Sequence, residues 1–147
     1  MNRIPLSRRR ALQPHPLWLF EENYLLLRRL LPTLRAGAHF VLESDAGRHA
    51  LEARVEECGP YTSLLVLTTG MAGEGQLPPP LTLRVRVYHD ARLAEVIGYQ
   101  DCVHIPPGYA ARMADGFQRD ERRQVNRLLH EVLQHCRRHG HVAVEQV

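Results

Sequence analysis

The sequence LTLRVRVY, residues 81–88, alternates apolar and polar side chains without a break. Successive side chains of a β-strand point to opposite faces, so this alternation predicts a strand with one buried and one wet face. A turn-like segment at 89–92 and a second strand-like segment at 93–99 follow directly. So short a connection predicts an antiparallel hairpin, because parallel strands need a crossover of about a dozen residues.

Three segments upstream of this hairpin have the same strand-like character. Residues 38–43 and 50–58 predict two strands joined by a turn at 44–47, and residues 61–69 predict a third strand after Gly59 and Pro60. A Gly-rich and then Pro-rich loop at 70–80 leads to the fourth strand. The sequence therefore predicts a five-stranded antiparallel meander.

Helical periodicity is found at both ends of this sheet. Phe20, Tyr24, Leu27 and Leu31 are spaced by four, three and four residues, and Pro32 ends that helix. A second helix at 119–139 carries a continuous apolar stripe, and Gly140 closes it as a C-cap. The stripe is Val125, Leu128, Leu129, Val132, Leu133 and Cys136, with Arg123, Asn126, Arg127, His130, Gln134 and Arg137 expected on the wet side.

The fold class expected is α+β, with an N-terminal and a C-terminal helix packed on one face of the five-stranded sheet. Residues 17–147 form one domain in this prediction, and residues 141–147 form either a short edge strand or a trailing end. Residues 1–16 are expected to be a flexible basic arm, because Pro14 and Pro16 prevent a helix there.

Several features favour a cytoplasmic location. The three cysteines are an odd number without CxxC spacing, which favours a reducing compartment. No apolar run reaches the roughly 18 residues of a membrane span. Arg8 to Arg10 resemble a twin-arginine export signal, but prolines interrupt the apolar stretch that such a signal needs.

All 19 basic residues are arginine, as the codon bias of a GC-rich genome produces. Residues 1–35 carry a net charge of +5, residues 36–118 one of −4 and residues 119–147 one of +2. This pattern favours basic helices paired with an acidic sheet over a polyanion site. The acidic middle and an aromatic content of only 6% also disfavour an RNA-binding module.

Three segments together resemble one known family. They are FEENYLLLRRLLP (residues 20–32), VRVYHDARLAEV (85–96) and RDERRQVNRLL (119–129), the last continuing to Cys136 and to His139-Gly140. YTSL at 61–64 is a weaker fourth segment. In order and spacing they are similar to the YqiB-like family of Gram-negative bacteria, over about residues 17–142. The resemblance implies no established activity, cofactor or catalytic residue. Genes of this family often lie beside those of nucleotide-metabolising enzymes, which associates the family with nucleotide metabolism and implies no ligand.

The densest polar cluster lies around the 89–92 turn. Arg86 and Tyr88 are expected on one face of the sheet, where a phosphate or carboxylate could sit between them and Arg28 or Arg29 of the first helix. A structural turn is the alternative for His89 and Asp90, and a metal site is a third, weaker one. The full set of candidate ligand-binding residues is Arg28, Arg86, Tyr88, His89, Asp90, Glu95, Arg119 and Asp120.

The start of the last helix and the remaining motifs have structural alternatives too. Asp120 and Glu121 match a helix-capping role, or Asp120 pairs with Arg86 or His89 to complete one site. His135, Cys136 and His139 have a spacing that zinc could use, with Cys102 and His104 as remote ligands, but Cys136 continues the apolar stripe. The Gly-rich segment 70–75 lacks the Lys and the following helix of a phosphate loop. No cofactor or metal is therefore expected.

The function expected is a binding or regulatory domain that recognises an anionic, nucleotide-like small molecule or a protein partner. The alternative is a hydrolase or transferase acting on a phosphorylated metabolite, with His89, Asp90, Glu95 or Asp120 as acid or base. The sequence leaves open whether the protein catalyses a reaction and in which oligomeric state it works.

Overall fold

Two helices and six strands make up the part of the chain that the computed structural model describes, residues 17–45, 49–69, 81–101 and 119–146. In chain order the elements are α1 (Leu17–Leu30), β1 (His39–Glu43), β2 (His49–Cys58), β3 (Thr62–Thr69), β4 (Leu81–Tyr88), β5 (Leu93–Asp101), α2 (Arg119–Arg138) and β6 (Val142–Glu145). The predicted arm at 1–16, the loop at 70–80 and most of the connection at 101–118 lie outside the described residues.

The strands form one antiparallel sheet in the order β5-β4-β3-β2-β1-β6. The α+β class and the meander from β1 to β5 are confirmed. The prediction of five strands is wrong, because Val142–Glu145 pairs with β1 as a sixth strand. After α2 the chain returns to the far edge of the sheet, and a segment of four mostly exposed residues gives little periodic signal of such a pairing.

The sheet has a helix-side face and an outer face. On the helix-side face, Leu65 pairs with Val85 and Leu67 with Leu83, and all four side chains are fully buried. Both helices contribute to the same hydrophobic core, including Leu27, Leu129 and Leu133. Arg84 and Arg86 alternate with these residues and therefore lie on the outer face. Burial of each large aliphatic side chain contributes about 1.5–3 kcal/mol, so this face fixes which helix surfaces turn inward.

A β-bulge interrupts the pairing of β4 with β5. Arg84 pairs with Gly98 and Val85 pairs with Val96, so Ile97 is an extra residue in β5. Such an extra residue disrupts the hydrogen-bond ladder locally and makes backbone groups available to other partners. The bulge thereby prepares the backbone of Val96 for a contact with α2.

Both helices end at the positions that the sequence predicts. The backbone N–H of Leu31 still donates to the Leu27 carbonyl of α1, and Pro32 follows. At the end of α2 the N–H of His141 donates to the Cys136 carbonyl and Gly140 has a φ of 65°. This arrangement is a Schellman motif, which confirms Gly140 as the C-cap glycine.

Ion pairs between described residues lie within the sheet and between the sheet and the loop before β1, and a pairing of the basic helices with the acidic sheet stays a prediction. Arg84 lies 3.6 Å from Glu56 and Arg54 lies 3.7 Å from Glu52, so these contacts join residues of the sheet. A further ion pair joins the loop residue Arg35 to Glu145 of β6. In α2 the exposed arginines 127, 137 and 138 form no ion pair within the described chain, so their charges face outward.

Candidate functional site

His89 is held at the end of β4 by two hydrogen bonds to the start of β3. Its backbone N–H donates to the Tyr61 carbonyl over 2.8 Å. Its ring Nε2 lies 2.7 Å from the hydroxyl oxygen of Ser63. Ser63 is in register with Val87, whose side chain is buried on the helix-side face, and Ser63 itself is only 2% exposed. The imidazole therefore lies on the helix side of the sheet and is fixed in orientation.

Arg28 is a cation whose charge acts on this imidazole. Partial burial lowers the pKa of His89, the charge of Arg28 lowers that pKa further, and the Asp90 carboxylate opposes the two. The guanidinium of Arg28 also donates to the Leu31 and Pro32 carbonyls, over 3.2 and 3.0 Å. It neutralises the negative end of the α1 dipole while it keeps His89 neutral.

Asp90 serves the turn that follows β4. Its side chain is exposed, and its Oδ1 accepts a hydrogen bond from the Ala91 N–H at 2.9 Å. Arg92 completes the turn with a φ of 58°, a conformation that few residues other than glycine adopt. This geometry is the structural turn that the sequence offered as one alternative. Within the described residues no three His, Cys, Asp or Glu side chains are arranged to hold a metal ion.

The second half of the predicted cluster lies on the outer face. Arg86 of β4 is directly opposite Glu95 of β5, and Tyr88 is opposite Leu93. Burial raises the pKa of the Tyr88 hydroxyl, as does the charge of Glu95, while Arg86 and Arg122 oppose this shift. Arg86 is half-buried, yet it forms no ion pair with any residue that the structure describes.

The predicted site is thus divided between the two faces of the sheet. Arg28 and His89 lie on the helix side, whereas Arg86, Tyr88 and Glu95 lie on the outer face. The sequence interpretation placed Arg28 beside Arg86 and Tyr88. In the structure Arg28 lies on the other side of the sheet from these two residues. The two groups meet only at the last residues of β4. The side chains of Arg119 and Asp120 lie outside the described residues, so a pairing of Asp120 with Arg86 or His89 stays a prediction.

A buried polar contact between the helices was missed by sequence reasoning. The Asn126 side chain of α2 accepts a hydrogen bond from the Val96 N–H at 2.9 Å and donates to the Arg122 carbonyl at 2.8 Å. The Asn23 amide of α1 donates to the Asn126 carbonyl at 3.2 Å. Both asparagines are fully buried, so the expectation that Asn126 lies on the wet side of α2 is wrong. The bulge in β5 explains the contact, because it frees the Val96 N–H for a side-chain acceptor.

The family-like segments are the signal that could have found these contacts. Asn23, Val96 and Asn126 come from the three strong segments and meet in one hydrogen-bonded group. Ser63 of the weaker fourth segment contacts His89 of the second. A helical wheel assigns the polar residues of such segments to solvent by residue type alone.

Cys136, which the sequence analysis grouped with His135 and His139 as a spacing that zinc could use, is part of the core. Cys136 is fully buried in the hydrophobic cluster, and burial raises the pKa of its thiol to about 12. A thiol in this environment stays protonated, whereas zinc binds the thiolate. Cys102, His104 and the Gly-rich segment 70–75 lie outside the described residues.

Neither described helix combines the length and the apolar character that crossing a membrane requires.

Comparison with known proteins gives a family without a known activity. The model of a family described as "Protein of unknown function (DUF1249)" matches residues 26–142. The chain is also 32% identical over 133 residues to "Uncharacterized protein YqiB" of Escherichia coli strain K12, covering 89% of this chain and 92% of that protein. The same values hold for the protein of that name from Escherichia coli O157:H7. No solved structure matches. Because the family match covers most of the chain, from residue 26 to residue 142, the chain belongs to the DUF1249 family, which includes YqiB-like proteins.

Proposed function

We propose that this protein is a cytoplasmic, non-enzymatic binding domain whose outer sheet face recognises an anionic small molecule through Arg86. The observation that carries the proposal is that Arg86 is half-buried and has no ion-pair partner among the described residues. Arg86 is directly opposite Glu95, yet the two form no ion pair. Burial of a charge that no described residue neutralises is costly, and an anion bound at this guanidinium would offset that cost.

Tyr88 supports the same choice of ligand. Its hydroxyl is protonated at neutral pH, as the ordinary tyrosine pKa of about 10 requires, so the phenol is available as a hydrogen-bond donor beside Arg86. A planar guanidinium next to a phenol suits a phosphate or carboxylate group, and the ring gives a surface for a flat moiety. A nucleotide-like anion combines both features and is the ligand class we favour. An acidic side chain of a protein partner is the other source of such an anion.

A thermal-shift screen of nucleotides and phosphorylated metabolites tests the proposal, because a ligand that binds only the native state raises its stability. We expect at least one anion to raise the melting temperature. Arg86→Gln should abolish that shift, whereas Arg84→Gln should retain it. Arg84 is the matched control, because it lies two residues away on the same face but is paired with Glu56.

Two results would count against this assignment. A melting temperature that no anion of the panel changes would exclude a small-molecule site, and a protein partner would then be sought with Arg86→Gln as the negative control. A ligand shift that survives in Arg86→Gln would place the site elsewhere on the molecule.

The contact of His89 with Ser63 favours a second candidate, a hydrolase or transferase acting on a phosphorylated metabolite. A histidine that is neutral at pH 7 and fixed by a 2.7 Å hydrogen bond has the form of a general base. Ser63 is only 2% exposed, however, and Asp90 is hydrogen-bonded to its own turn, so neither completes a nucleophilic triad. Turnover of a panel of phosphorylated metabolites that is lost in His89→Gln and kept in His130→Gln would support the enzyme. Absence of turnover by the wild-type protein would reject it.

A further inference from the structure

Three histidines form a cluster at the junction where α2 ends and β6 begins. His135 and His139 lie one helical turn apart, and their ring centroids are 4.4 Å from each other. His141 follows the C-cap Gly140, and its ring centroid is 5.7 Å from that of His135. The side chains of His135, His139 and His141 are called the histidine cluster below. Imidazoles at such distances repel each other once more than one of them is protonated.

His141 is the buried member of the cluster. It is only 8% exposed, and its buried ring Nδ1 has no hydrogen-bond partner among the described residues. Its backbone N–H donates to the Cys136 carbonyl in the motif that ends α2. A proton on this ring would place a charge in a buried position, and a hydrogen bond with the Cys136 backbone only partly offsets that cost.

The attachment of β6 depends strongly on this residue. Val142 and Val144 of β6 are 63% and 42% exposed, and Ala143 is only partly buried against the core. His141 is therefore the most buried side chain of the described segment 141–146. The remaining connections are the backbone pairing with β1, the Arg35–Glu145 ion pair and the hydrogen bond from the Gln146 N–H to His39. A short edge strand held this way opens more easily than the inner strands.

We propose that the histidine cluster is a proton-operated latch: proton uptake by His135 and His141 releases β6 from β1. In the neutral state the rings pack together and His141 anchors the strand. In the protonated state the cluster contains two like charges, which repel each other. The charged His141 side chain is then more stable in water than in its buried position. Release of β6 exposes the hydrogen-bonding edge of β1, and such an edge can pair with another extended segment.

The charges around the cluster set the direction of this response. Burial lowers the pKa of His135, and His139 and His141 lower it further. Burial also lowers the pKa of His141, a hydrogen bond with the Cys136 backbone opposes this shift, and His139 adds to it. No carboxylate contributes to either shift. The acidic side chains on the adjoining strands are Glu43, in register with Val142, and Glu145, which is paired with Arg35. The exposed Arg137 and Arg138 of the last turn are cations and give no compensation.

A folded-state pKa below the unfolded value means that the unfolded state binds the proton more tightly. The latch is therefore fully closed above the unfolded pKa of about 6.5, and its stability is lost as the pH falls through that value toward the folded one.

Amide hydrogen exchange of the full chain between pH 7.5 and 5, corrected for the intrinsic exchange rate, measures this opening. The opening constant of the β6 amides should rise by up to about tenfold per pH unit for each proton taken up. Amides in the centre of β3 should respond much less. Equal pH dependence in β6 and β3, or none in β6, would overturn the proposal.

Two variants and a matched control identify the groups involved. His135→Asn and His141→Gln should each flatten the pH dependence of β6 opening. His130→Asn, on the same helix but beside Trp18, should not change it. Circular dichroism at pH 7.5 shows whether each variant folds, and if the buried His141→Gln variant does not, the half-buried His135→Asn decides the matter. A wild-type slope in His135→Asn would refute the latch.

Discussion

At the scale of single residues, buried polar side chains determine how α2 sits on the sheet. Asn126 connects its own helix to the bulged strand β5 through the Val96 N–H, and Asn23 connects α1 to the same point. The Oδ1 of Asn23 has no partner among the residues described, so this group is not fully satisfied. The hydrogen bonds of Asn126 and Asn23 nevertheless fix one orientation of the helices. Any rotation of α2 would leave the Val96 N–H without its acceptor as well.

Replacement of Asn126 by alanine tests this role. The change removes the acceptor of a buried backbone N–H and leaves a small cavity, so we expect a loss of about 2–4 kcal/mol in the free energy of unfolding. Urea denaturation measures it. Gln124→Ala, at an exposed position of the same helix, should change that energy by less than about 0.5 kcal/mol. A loss no larger in Asn126→Ala than in the control would show that the contact is dispensable.

The ionisation of His89 is a second property that belongs to single residues. Its pKa is lowered by burial first and by Arg28 second. We therefore expect the pKa of His89, measured by NMR titration, to lie below 6.5 and to rise in Arg28→Gln. Arg29→Gln, at the exposed neighbouring position, should have a much smaller effect. A pKa at or above 6.5 in the wild type would contradict the burial of this ring.

At the scale of elements, the end of α2 depends on one left-handed residue. Gly140 has a φ of 65°, and a Cβ built on it would meet nothing within 4 Å. The cost of Gly140→Ala is therefore conformational and not steric, and we expect about 1 kcal/mol in the free energy of unfolding. Arg138→Ala, at an exposed position just before it, is the control in the same denaturation experiment. Equal stability of Gly140→Ala and the wild type would mean that the Schellman motif is not retained.

The elements themselves could largely be predicted from the sequence, because period-two and helical patterns are local. The alternation in LTLRVRVY gives β4 at the same bounds as in the structure, 81–88. The sequence does not specify β6, since its pairing with β1 brings together residues about 100 positions apart and its exposed valines show no buried face. Asn126 was misplaced because a polar residue at the border of an apolar stripe is assigned to solvent by its type.

The candidate site was less predictable than the elements. Arg86 and Tyr88 share a face, as their spacing of two requires, and Asp90 caps its own turn. The separation of Arg28 from Arg86 depends on which face of the sheet the helices cover, and no local pattern specifies that choice. The contact of His89 with Ser63 likewise needs the register of β3 against β4, which the sequence does not reveal.

At the scale of the whole molecule, charge separates between the layers. The described part of α2 from Arg122 onward carries five arginines and one glutamate, while the sheet carries its carboxylates at its outer face and edges. The exposed arginines 127, 137 and 138 of α2 face outward, and the apolar core and the asparagine contacts join the helices to the sheet. A core shared by α1, α2 and the sheet predicts that these elements unfold together.

Thiol labelling of native protein tests that cooperativity directly. Cys58 is exposed and Cys136 is fully buried, with a thiol pKa of about 12. In a Cys102→Ser variant we expect rapid modification of Cys58, and modification of Cys136 only through global unfolding. The labelling rate of Cys136 should then increase with urea in parallel with the global unfolding equilibrium, as mass spectrometry can follow. A Cys136 rate that does not depend on urea would mean that α2 opens locally, and residues 17–147 would then not form one cooperative domain.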